Sequence, residues 1–78
     1  MARFFFDVTR GGQTFAEDEG SDLENLESVR AIALETLLEL AGRGAPNEDH
    51  AEFRVVVRDE AGASVYRGVL TISGEWTV

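Results

Sequence analysis

Few side chains in this chain could carry covalent chemistry, and those present are poorly spaced for it. His50 is the single histidine among 78 residues. It stands beside Glu48 and Asp49, and an imidazole with carboxylates could begin a metal site or act as a general base. Nothing near it in sequence supplies a second histidine, a nucleophile or an oxyanion donor, so a solvated loop histidine is expected. Ser21, Ser28, Ser64 and Ser73 fall in no nucleophile-elbow pattern. The chain has no cysteine, which excludes thiolate catalysis and a disulfide framework and suits a reducing cytoplasm. No catalytic residue is assigned, and a non-enzymatic protein is expected.

The binding motifs are equally thin. Glu17 to Asp22 is an acidic stretch of the kind hard cations favour. An EF-hand loop needs glycine at its sixth position, and placing Gly20 there makes Phe15 the first ligand, which fails. No metal site is assigned. Gly11-Gly12 lacks the Gly-Lys-Ser/Thr ending of a phosphate loop, and no helix starts there, so no cofactor is expected. Phe4-Phe5-Phe6 could suggest base-stacking aromatics. Acidic residues outnumber basic ones 15 to 7, however, and the net charge is −8. Nucleic acid and anionic lipid would both be repelled. No stretch approaches the roughly 20 apolar residues of a membrane span, and the N-terminal apolar run is too short for a signal sequence. A cytoplasmic location is expected. Trp76-Thr77-Val78 could enter a carboxylate-binding groove, but three residues carry little specificity, and Trp76 is expected to close an edge of the core.

What remains is architecture, on the scale of one small domain spanning 1–78. Ala2 to Val8 alternates, with Phe4, Phe6 and Val8 on one face and Arg3, Phe5 and Asp7 on the other. Thr9 to Gly12 is a turn, and Gln13 to Ala16 a short second strand, giving a hairpin. After the acidic loop, Asn25 caps a helix that begins at Leu26, although Ser21 with Glu24 offers a competing capping box. Leu26, Val29, Ala33, Leu37, Leu40 and Ala41 form its apolar stripe, widened by Leu34 and Leu38. Gly42, Gly44 and Pro46 end it. Ala45 to Ala51 is a loop. Glu52 to Arg58 is a strand with Phe53, Val55 and Val57 inward and Val56 outward. Asp59 to Gly62 is a turn. Ser64 to Ile72, apolar at both parities, predicts a bulge or burial on both faces.

The order is β-β-α-β-β in an α+β domain. A right-handed crossover over the first strand places the third beside it. The sheet is then four-stranded and antiparallel, in the order 2-1-3-4, with one face under the helix and one open. Phe5 and Val56 form an apolar patch on that open face, ringed by Arg3, Arg54, Arg58 and Asp7. A cluster of this kind marks an interface. Phe5, Val56, Arg54 and Arg58 are the candidate interface residues, and a second copy of the chain, as a homodimer, or another protein is the expected partner. The alternative is a small-ligand-binding or regulatory module using the cleft between helix and sheet.

Four segments carry a resemblance. They are Arg3-Phe4-Phe5-Phe6-Asp7, a shortened acidic loop Asp18-Glu19-Gly20, the helix start Asn25 to Ala31, and Val55 to Gly62. Across residues 3 to 70 the chain resembles a family of short bacterial proteins, common in rhizobia and related alphaproteobacteria, labelled a domain of unknown function. The Gly-Glu-Trp-Thr-Val end departs from that pattern. The family has no assigned activity or site residues, so the resemblance implies no function.

Overall fold

Alternation governs the two inner strands, β1 (Ala2–Arg10) and β4 (His50–Asp59). Phe4 and Phe6 of β1, and Phe53, Val55 and Val57 of β4, turn to the same side and are buried. The computed structural model describes residues 2–43 and 49–78. Its other elements are β2 (Gln13–Phe15), β3 (Ser21–Leu23), α1 (Leu26–Gly42) and β5 (Ser64–Ser73). The fold is α+β: one helix on an antiparallel sheet with the path β2-β1-β4-β5, β3 also pairing with β1. The strand path is the expected one, and β3 adds a fifth strand to the four expected.

Local chemistry explains the connections. Gly11 and Gly12 have φ of 57° and 81°, the pairing needed for a two-residue hairpin that closes with Arg10 opposite Gln13. Asn25 is the helix N-cap, its side chain accepting from the Ser28 N–H at 2.9 Å. That resolves the competing capping box in favour of Asn25. The loss of pairing register between Val57 and Arg58 leaves Val65 as an extra residue, a bulge, which is the first of the two outcomes expected of this strand. Burial on both faces is not found, Val65 and Val69 being exposed. The helix-ending roles of Gly44 and Pro46, and residues 45–48 of the loop after them, lie outside the described residues.

Val29, Ala33 and Leu37 of α1 close the core against the sheet, with Ile32, Leu40 and Ala41 packed at its margin. Three expectations are corrected here. Leu26, Leu34 and Leu38 are exposed, Leu38 at 66%: Leu34 and Leu38 lie about 100° and about 140° round the helix from the buried Val29–Ala33–Leu37 line, turned off the sheet, and Leu26 is the first residue of the helix. Trp76 is 85% exposed and does not close the core. His50 opens β4 and is not part of a loop.

Candidate functional site

Hydrogen-bonding parity explains how the acidic segment folds. In an antiparallel ladder, successive residues of β1 point their N–H and C=O groups alternately at one neighbour and the other. β2 pairs with Val8 to Arg10, and β3 with Ala2 to Phe4. Extending the register of β2 sets Glu17 opposite Phe6; extending that of β3 sets Glu19 there. Residues 13–23 therefore form one strand interrupted by two extra residues opposite Phe6. Side chains replace the missing ladder. The Phe6 N–H donates to Glu17 Oε1 at 3.0 Å, and the Glu17 N–H donates to Asp7 Oδ1 at 2.9 Å.

The excess chain crosses the open face and is held by two arginines. Arg58 Nε donates to Asp7 Oδ2 at 2.8 Å, and Arg58 Nη2 to the Glu17 carbonyl at 2.7 Å. Arg3 Nη1 donates to the Glu19 carbonyl at 2.7 Å. Arg3 also grips Asp22, its cross-strand neighbour, through Nε and Nη2 at 3.1 and 3.2 Å. Gly20, at φ 79°, lies against the Phe5 ring. A Cβ there would come within 2.8 Å of Phe5 Cε2 and of Arg3 Cγ.

This arrangement determines what the four candidate interface residues do within one chain. Phe5 is half-buried between Gly20 and the Arg58 guanidinium, which stacks over its ring at 4.6 Å. Arg58 is spent on Phe5, Asp7 and Glu17. Arg54 is exposed and paired with Glu52 at 2.7 Å. Val56 is half-buried, with Asp7 opposite on β1 and Arg67 opposite on β5. Of the expected ring, Arg58 stacks on Phe5 and Arg3 and Asp7 hold the segment that crosses it, whereas Arg54 pairs away with Glu52. The apolar surface left open lies further out, at Val65 and Val69 of β5. Sequence reasoning placed all four residues on one face; it missed the cover, which depends on pairing between residues 3 and 22.

The remaining candidates can be placed too. Glu17, Asp7 and Asp22 serve as hydrogen-bond acceptors for this chain's own groups, and no group of three or more His, Asp or Glu among the described residues could hold a metal ion. Beneath the helix, a Cβ on Gly68 would lie 3.2 Å from both Leu37 Cδ1 and Val55 Cγ1, so helix and sheet are in contact at Gly68. An open recess of about 450 Å³ lies instead beyond the Gly11-Gly12 turn, beside His50, Glu52 and Arg54. Among the described residues, no helix is long and apolar enough to cross a membrane.

Fold and site together define a small acidic α+β domain with a strapped open face and, among the described residues, the long strand β5 at the edge of its sheet. The chain belongs to a family described as a domain of unknown function, DUF6894, which matches residues 3–71. No curated protein and no solved structure matches it.

Proposed function

We propose that this domain is a non-enzymatic protein-interaction module that works as a homodimer in the bacterial cytoplasm. One observation carries the reading. Among the described residues, the exposed large apolar side chains are Phe15, Leu26, Leu34, Leu38, Val65, Val69, Trp76 and Val78, as many as the eight residues of the buried core. Isolated exposed apolar groups are ordinary on a protein surface. Parity between inside and outside is costly for a domain this small, whose core supplies limited stability; association is one of the remedies small domains use, and with no cysteine a disulfide is not among those open to this chain. The contact of Leu37 and Val55 around Gly68 supports this reading over a ligand module in the helix–sheet cleft. The lack of lysine and the −8 charge point away from nucleic acid as partner.

Sedimentation velocity across a concentration series tests the proposal. A shift from one-chain to two-chain mass as concentration rises supports it. A single one-chain species throughout would overturn the homodimer.

A further inference from the structure

The two edges of the sheet differ in kind. On one side β2 and β3 are three residues each, separated by the Glu17–Gly20 crossing that carries Asp18 and Glu19, with Asp22 inside β3. Short, interrupted, charged edges are how sheets avoid joining other chains. β5 has none of these devices along most of its length. It runs ten residues, contains no proline and no acidic residue, and carries Arg67 as its single charged side chain. Its bulge falls at Val65, leaving Tyr66 to Ser73 in regular register with β4.

The direction of its free groups follows from one bond. The Gly74 N–H donates to the Asp49 carbonyl at 2.8 Å, in line with the β4–β5 register. Even-numbered residues of this stretch thus point their backbone groups at β4, and Arg67, Val69, Thr71 and Ser73 point theirs at the bare edge.

We propose that this edge is occupied by β5 of a second copy, paired antiparallel about a two-fold axis at Thr71. The inference rests on the self-association reading and names its surface. Charge selects the register. Arg67 lies in β5 and Glu75 two residues beyond its end at Ser73. With the Gly74–Asp49 bond carrying the register on, the tail extended in line with β5 sets them about 26 Å apart, too far to meet within a chain. Among the described residues neither belongs to an ion pair. A two-fold at Thr71 sets Arg67 opposite Glu75 of the second copy, and does so twice. A two-fold at Arg67 would set arginine against arginine, which is unfavourable. On the helix face the same register pairs Leu70 with Ile72 and, with the tail beyond Ser73 extended in line with β5, Tyr66 with Trp76, giving the exposed indole a cross-strand aromatic neighbour. The axis stands perpendicular to the sheet, so both helices lie on one side of a continuous sheet.

The test uses the full chain and three variants, with mass measured by light scattering after size exclusion and folding checked by circular dichroism and melting. Thr71→Pro removes an N–H that points away from β4, so the fold is retained while edge pairing is blocked. It should be folded and one-chain in mass. Arg67→Glu should weaken the dimer by more than about tenfold, since like charges then face each other twice. Arg67→Glu with Glu75→Arg should restore it to within about threefold of wild type. Amide exchange at Val69 and Thr71 should slow as wild-type concentration rises, a readout that needs no variant. A wild-type dimer with a dimeric Thr71→Pro protein and unchanged exchange at these amides overturns the edge while leaving the homodimer standing. A charge swap that fails to restore pairing overturns the Thr71 register. A monomeric wild type removes the self-association reading and this inference with it.

Discussion

Asp7 and Arg58, on neighbouring strands and offset by two positions, are joined by a 2.8 Å ion pair whose carboxylate also accepts the Glu17 N–H. The side chains are 33% and 19% exposed for Arg58 and Asp7, so water competes for this pair less than for Arg3–Asp22 or Arg54–Glu52, where all four side chains are near half exposed. Asp7 connects three things: the strap's first residue, the arginine that holds its carbonyl, and the interruption opposite Phe6.

Asp7→Ala should therefore cost about 1.5–3 kcal/mol, because it deprives a charged donor and a backbone N–H of their acceptor together. Arg54→Ala should cost no more than about 1 kcal/mol, as exposed pairs do. Denaturant melts of the two variants at one protein concentration compare them directly. Equal losses would mean that the Asp7 network does not hold the strap.

Gly20→Ala should be more damaging than Gly12→Ala. Both glycines have positive φ, near 80°, so both substitutions carry a backbone strain of about 1 kcal/mol or more. At Gly12 the new methyl meets nothing within 4 Å; at Gly20 it meets the Phe5 ring and the Arg3 stem. Thermal melts should rank them in that order. The reverse order would place the loop elsewhere than on Phe5.

The features legible in the sequence were those governed by local spacing. The helix from Leu26, the Asn25 cap, the glycine hairpin and the bulge in the last strand all follow from periodicity or turn chemistry within a few residues. β3 was not legible. Ser21-Asp22-Leu23 has no run of alternating apolar residues, and its pairing depends on Arg3 meeting Asp22 nineteen positions away. The cover over Phe5 was hidden for the same reason: it requires two extra residues opposite Phe6, and that count exists only once both registers with β1 are known. Leu34 and Leu38 widened the helical stripe on one flank, but a flat sheet covers only the arc centred on Val29, Ala33 and Leu37.

Helix phase has its own check. Leu37 is buried and Glu35 exposed. Leu37→Ala should cost about 2–5 kcal/mol, a large part of the stability of a small domain. Glu35→Ala should change it by no more than about 0.5 kcal/mol. Melting temperatures close together for the two would mean that the buried face is misassigned.

The central claim is that two copies of this chain associate. Light scattering after size exclusion, run on the wild-type protein at increasing concentration, measures this without any variant. The account predicts a mass that rises to that of two chains and stays there. A mass of one chain, unchanged up to the highest concentration that remains soluble, would contradict it.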